Sequence, residues 1–350
     1  MEDFERVKII IPLSKCVSGM KLLQPIVDEK TGTILLPKGS VLNDDSIDRV
    51  SSFEHTQVCV EVKSESTIWE TNKEDLDNYK AYSDSLKYIL SSTIDNNNVD
   101  VKKVKQLAKS LIETFNNNVQ ILACVNDINY FGQYGYMHSL NVALIAIVIG
   151  RWNEYSDEQL EKLALAGLLH DIGKVYRDNI TNKKIFKIDR KLDSNLAERL
   201  IYKRHPISGY EKLVQYRELD IEVLKAVLTH HERCDGSGFP LSLTGDKISE
   251  LAKIVGLADE YEALRQKHHI FDVIKELRTT QMGCFDIDLL INFCTNIMNY
   301  YIGTHVLLNT GEIGEVESIQ QQSIYRPIVK TRDKTIDLYI ESQVKIEKVF

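Results

Sequence analysis

Between Phe131 and Tyr301 the chain repeatedly sets a histidine or an aspartate on, or at the end of, an apolar helical segment. This pattern constrains the fold more than any other feature. Imidazoles and carboxylates on buried helical faces are costly unless each polar atom finds a partner. Each such group therefore needs a partner, in a salt bridge or hydrogen bond or at a metal ion. Seven of the nine histidines fall in this stretch.

Taken in order, His138 opens "HSLNVALIAIVIG", and Val142, Ile145 and Ile149 lie on its face. A lone histidine on such a stripe is more often a satisfied core residue than a ligand. His170 and Asp171 close "SDEQLEKLALAGLLHDIGK", where Ser156 and Gln159 have capping-box spacing. Leu160, Leu163, Ala164, Gly167, Leu168 and Asp171 trace one face of that helix. Gly173 is expected to end it, leaving Lys174 as a mobile cation placed for a phosphate. His205 stands before Pro206, a residue expected at a helix start, and says little alone. His230 and His231 close "DIEVLKAVLTHHE"; about 100° apart, they straddle one broad face. Asp259 follows Leu251 and Val255 along a third stripe. For both aspartates, a salt bridge and a metal ligand are open readings. Together the five histidines and two aspartates offer nitrogen and oxygen donors without a thiolate. That suits iron, manganese or nickel, and a site of more than one ion. A bridging Asp171 suits two metals about 3.5–4 Å apart, as in phosphoryl-ester hydrolysis.

The remaining sequence frames this core. A chain of 350 residues, 43% of them hydrophobic, supports one large core with smaller domains beside it. Residues 1–65 read as a small β-rich domain: "VKIIIPL" and "QVCVEV" are strands, "DEKTGTILLPKGS" holds a strand between turns, and "NDDSIDRVSSF" is a helix. Residues 66–129 read as a helical connector. Its stripes are Leu76, Tyr79, Ser83, Leu86 and Leu90, then Val101, Val104, Ala108, Leu111 and Phe115. They either pack on the next domain or form a homodimer seam. Residues 130–302 are the helical core, and 303–350 are a β-rich extension with turns at Thr310-Gly311 and Arg332-Asp333-Lys334. The net charge of −8 argues against nucleic-acid binding but permits a small anionic ligand held by local cations. The six cysteines make no C-x-x-C pair, which argues against structural zinc and a disulfide framework. "VALIAIVIG" is too short to span a bilayer, and the N-terminus lacks a secretory pattern, so a cytoplasmic protein is expected.

"HDIGK" (170–174), "HPISG" (205–209), "HHERCDGSGFP" (230–240) and "ADEYEAL" (258–264), with His138 ahead of them, resemble the HD-GYP family of the HD phosphohydrolase superfamily. The likeness covers about half of the chain. It implies a mainly α fold: an HD-type helical bundle with a small N-terminal α+β domain and a small β-rich C-terminal extension. The implied activity is that of a metal-dependent cyclic di-GMP phosphodiesterase making pGpG. The implied metal ligands are His138, His170, Asp171, His205, His230, His231 and Asp259, holding two divalent ions, iron or manganese, bridged by Asp171. Lys174 is the implied phosphate contact, and Arg233 a substrate contact or loop anchor. Three departures stand out. Phe239 replaces the tyrosine of the family name. Tyr134 stands one turn before His138, where three-metal members carry a glutamate, so two metals are implied. "RQKHHIF" (265–271) replaces the usual ligand-contacting segment through His268, His269 and Phe271, which leaves open a binding module or a hydrolase of another cyclic dinucleotide.

Overall fold

The structure, a computed structural model, describes residues 7–11, 13, 16, 18–28, 31–51, 58–62, 73–96, 98–127, 135–177, 184–185 and 196–350. The chain divides into two compact units: Ile68–His268 with Lys275–Phe293, and Met1–Thr67 with His269–Ile274 and Cys294–Phe350. In the latter, β1 (Val7–Ile11), β2 (Lys21–Leu22), β3 (Ile26–Val27) and β4 (Ile34–Leu36) precede α1 (Asp44–Ser51) and β5 (Val58–Val62). The two strands expected from apolar runs, β1 and β5, pair antiparallel, and β2 joins the other edge of β5. At the start of α1, Ser46 N–H donates to Asn43 Oδ1 while Asn43 N–H donates to Ser46 Oγ. This reciprocal cap explains why a helix begins there.

The helical unit contains α2 (Lys73–Asn96), α3 (Val101–Thr114), α4 (Asn118–Asp127), α5 (Gly135–Trp152) and α6 (Asp157–Leu169). A two-stranded pair follows, β6 (Tyr176–Arg177) and β7 (Lys184–Ile185), then α7 (Leu196–Leu213), α8 (Ile221–Thr229) and α9 (Glu250–Arg265). The last two helices of the chain are α10 (Ile270–Arg278) and α11 (Ile287–Asn299). Residues 140–149 of α5 are all buried, as expected for a helix apolar on every side. It packs against α6, whose end leads into Asp171, and against α9, which carries Asp259. The capping box at Ser156 and Gln159 is present at the start of α6. The stripes on α2 and α3 are buried from Tyr79 to Leu90 and from Val101 to Phe115. These helices pack on each other and on α4, α5 and α6, so the stripes are spent inside the chain.

Two local expectations are corrected. Gly173 does not end α6: the helix stops at Leu169, and Gly173 lies in a 3-10 turn, Ile172–Lys174. It is glycine because a Cβ there would stand 1.9 Å from the His205 carbonyl. Pro206 does not start a helix; it lies inside α7.

Five further strands complete the chain: β8 (His305–Leu308), β9 (Ile313–Ser318), β10 (Ile328–Thr331), β11 (Thr335–Asp337) and β12 (Ile346–Val349). They form an antiparallel sheet in the order β11-β10-β9-β8-β12, with turns at the two expected places. The N-terminal and C-terminal β-rich segments are expected as two separate domains. They form one unit instead: Ile313 lies in the same apolar cluster as Leu13, Leu22 and Val60, and Arg332 pairs with Asp48. Among the described residues, no helix is long and apolar enough to cross a membrane.

Candidate metal centre

Helix ends fix the orientation of the histidines. The last four carbonyls of an α-helix have no intrahelical donor. In α6 one of them, Gly167 O, accepts from His170 Nδ1 at 2.7 Å; in α8, Val227 O accepts from His230 Nδ1 at 2.8 Å. His205 lies within a helix, where the carbonyl three residues back ordinarily accepts from the N–H of residue 206. Proline has no N–H, so Tyr202 O is left to accept from His205 Nδ1. In these three rings Nδ1 donates and Nε2 carries the lone pair, the tautomer a metal ligand needs. His138 follows the same rule with a carboxylate: its Nδ1 is 2.5 Å from Glu262 Oε2.

The remaining ring edges converge. His205 Nε2 is 3.2 Å from His230 Nε2 and 3.2 Å from Asp171 Oδ1. His170 Nε2 and His230 Nε2 lie 3.5 and 4.0 Å from that oxygen. His138 Nε2 is 3.1 Å from Asp259 Oδ1 and 3.7 Å from Asp171 Oδ2, while His231 Nδ1 is 3.6 Å from Asp259 Oδ2. The structure thus brings together all seven residues expected from the sequence, and all are buried. Gly256 contributes by letting α9 approach the end of α8, since a Cβ there would meet His230 O at 2.5 Å.

Electrostatics separates these groups into two kinds. Burial lowers the pKa of His170; burial and Lys174 lower that of His205; burial with the His170 and His205 rings holds His230 far below its ordinary value. Burial thus disfavours the imidazolium form of all three rings. Burial disfavours the Asp171 carboxylate, but His170, Lys174 and His205 outweigh it and hold the carboxyl well below its usual range. Burial likewise pulls His138 down, yet the Glu262 and Asp259 carboxylates carry it up to about 9. A carboxylate oxygen thus faces three lone-pair nitrogens. Both His170 Nε2 and Asp171 Oδ1 are buried without a hydrogen bond, an expensive state for polar atoms. A cation among them satisfies both, so the residues present fit a divalent metal ion. The donor atoms fall into two groups, Asp171–His205–His230–His231 and His138–His170–Asp171, with Asp171 common to both.

Around the cluster, Lys174 is buried rather than mobile: its Nζ lies 2.7 Å from Asp171 Oδ2 and 4.9 Å from the centre of the Tyr202 ring. Arg233 does not join the cluster. Its guanidinium donates to Glu260 Oε2 at 3.1 Å and to the carbonyls of His230 and Glu232, and it stacks over Phe285. Glu232 holds the following loop by accepting from Leu241 N at 2.6 Å and Leu243 N at 2.8 Å. Phe239 stacks on His231 at 4.6 Å between ring centres. In the 265–271 segment, His268 is exposed, His269 pairs with Asp272 at 3.0 Å, and Phe271 is buried against Tyr301. Tyr134 lies outside the described residues.

Sequence reasoning passed over two residues at the site. Glu262 is the acceptor for His138; the available signal was a carboxylate three positions after Asp259, on the same helical face. Tyr202 carries the carbonyl that orients His205, and its hydroxyl lies 3.4 Å from His231 Nε2. No sequence pattern marks it.

The HD domain family model matches residues 102–278, about half of the chain. A cyclic di-GMP phosphodiesterase of Pseudomonas aeruginosa is 32% identical over 205 residues, 57% of this chain and 48% of that protein. The 3'3'-cGAMP-specific phosphodiesterase 3 of Vibrio cholerae is 32% identical over 133 residues, 36% of this chain and 26% of that protein. The chain thus spans about half the length or less of these curated relatives. Among solved structures, the HDG"Y"P protein Bd1817 of Bdellovibrio bacteriovorus superposes with a TM-score of 0.54 at 17% identity, covering 84% of this chain and all of that one. At that identity the likeness speaks for the fold.

Proposed function

The chain belongs to the HD domain family, and from that premise we propose that it hydrolyses the phosphodiester bond of a cyclic dinucleotide, cyclic di-GMP, to linear pGpG. The observation that carries this reading is the shared carboxylate: Asp171 belongs to both donor groups, beside the buried imidazoles of His170, His205 and His230, whose charged forms burial disfavours. Two divalent ions, iron or manganese, are the proposed cofactors. His205, His230 and His231 would hold one, His138 and His170 the other, with Asp171 common and Asp259 beside both His138 and His231. Bound there, such ions supply Lewis-acid charge for the phosphate and lower the pKa of water.

The chain's own residues have distinct parts. Burial disfavours the imidazolium form of His170, His205 and His230, and their carbonyl partners hold each lone pair inward. Lys174, fixed at Asp171 under the Tyr202 ring, is the group proposed to meet charge developing on the phosphate oxygens. For Arg233 we propose loop anchoring rather than substrate contact, because Glu260 and two carbonyls already engage it.

A second substrate has support: the Vibrio cholerae relative named for 3'3'-cGAMP is 32% identical, the same figure as the one named for cyclic di-GMP, though over 133 residues rather than 205. The test is anaerobic turnover by the full chain, loaded with Fe(II) or Mn(II), on both cyclic dinucleotides, with products separated chromatographically. Conversion of cyclic di-GMP to pGpG is expected. Preferential cleavage of 3'3'-cGAMP would move the substrate assignment. Tight binding of either without turnover would make the chain a binding module.

A further inference from the structure

We infer that Glu262, held in place by Asn141 and Tyr79, is a positioning residue for the metal ligand His138. The inference rests on the reading of His138 as a ligand. His170, His205 and His230 are oriented by carbonyls of their own helices. His138 has no such partner, because it sits in the first turn of α5, where a helix presents spare N–H groups rather than spare carbonyls. Its acceptor comes from another helix. Glu262 Oε2, on α9, lies 2.5 Å from His138 Nδ1, which commits Nε2 to the side where Asp259 and Asp171 stand.

Glu262 is itself buried and held by further donors. Asn141 Nδ2 donates to Oε1 at 3.2 Å, and Gln266 Nε2 lies 2.9 and 2.8 Å from Oε1 and Oε2. Three N–H groups thus converge on one side chain, which only an acceptor on both oxygens can satisfy. The orientation of the Asn141 amide is not arbitrary: its Oδ1 accepts from the Tyr79 hydroxyl at 2.8 Å, which turns Nδ2 toward Glu262. Tyr79 is on α2, one of the most deeply buried large side chains described. A continuous set of hydrogen bonds therefore runs from α2 through Asn141 and Glu262 to the ring of His138.

Replacing Glu262 by glutamine keeps its size but turns an amide NH2 toward other donors, so the ring loses its fixed tautomer. Partners of this kind change metal affinity by about 10–100-fold. The experiment is titration of the metal-free full chain with Mn(II) alone, by calorimetry, alongside thermal melting of the same metal-free samples. Glu262→Gln is expected to weaken Mn(II) binding at least tenfold. Tyr79→Phe, which removes one oxygen, is expected to weaken it by a smaller factor, and to add nothing in the Glu262→Gln background because it acts through that residue. Wild-type affinity in a folded Glu262→Gln chain, or a lowered melting temperature with unchanged Mn(II) affinity in Tyr79→Phe, would overturn the inference alone. A wild-type chain that binds no Mn(II) would overturn the ligand reading of His138, and this inference with it.

Discussion

Asp171 is the residue on which both donor groups depend, because it is common to the two. Asp171→Ala is expected to lose bound metal and to lower turnover roughly 100-fold or more, since on the proposed reading this change removes a direct ligand and even indirect partners are worth 10–100-fold. Elemental analysis of the purified variant checks the first effect and chromatographic turnover the second. Lys174→Ala should separate them. Its ammonium lies 2.7 Å from Asp171 but offers no ligand atom, so metal content should stay at the wild-type level while kcat falls about 10²–10³-fold. Loss of metal in that variant would make Lys174 structural. At this scale the sequence was highly legible for the cluster: His138, His170, Asp171, His205, His230, His231 and Asp259, singled out from their motifs, lie together. It was silent on Glu262 and Tyr202. Glu262 matters through a partner 124 positions away, and Tyr202 through its backbone carbonyl, which carries no side-chain signature.

At the scale of elements, the instructive case is Pro206. A proline beside a polar residue reads as a helix start, yet α7 begins ten residues earlier, at Leu196. The cost of an interior proline is about 3 kcal/mol. What the chain gains is the carbonyl of Tyr202, which accepts from His205 Nδ1 instead of from a backbone N–H. Pro206→Ala restores that competitor. It is expected to raise the melting temperature of the metal-free chain while weakening Mn(II) binding, a pair of opposite signs that simple damage to the helix cannot give. Denaturation curves and calorimetric titration check the two halves. The capping box of α6 and the apolar stripes of α2, α3 and α5 were legible because their signals are local. The end of α6 was not, because Gly173 answers to the backbone of His205, brought close only in the folded chain.

At the scale of the molecule, the unread feature was the joining of both β-rich ends into one unit, with Ile313 in a cluster begun by Leu13. Alternation along a strand tells which face is buried, but not against which distant segment. The helical unit has a different dependence. Its centre keeps buried polar atoms that a cation satisfies, so metal should stabilise the folded state. With free metal at 100 times its dissociation constant, the gain is about 2.7 kcal/mol. A chelator should therefore lower the melting temperature by several degrees, and restored Mn(II) should reverse the change; a melting curve indifferent to chelation would count against a metal at this centre. The most direct test of the central claim combines metal stoichiometry and chemistry on one sample: elemental analysis of the anaerobically purified full chain, followed by its reaction with cyclic di-GMP. Two equivalents of iron or manganese, with pGpG accumulating only in the metal-loaded protein, is the predicted result. Hydrolysis by metal-free protein, or a fully loaded centre that cleaves no cyclic dinucleotide, would contradict it.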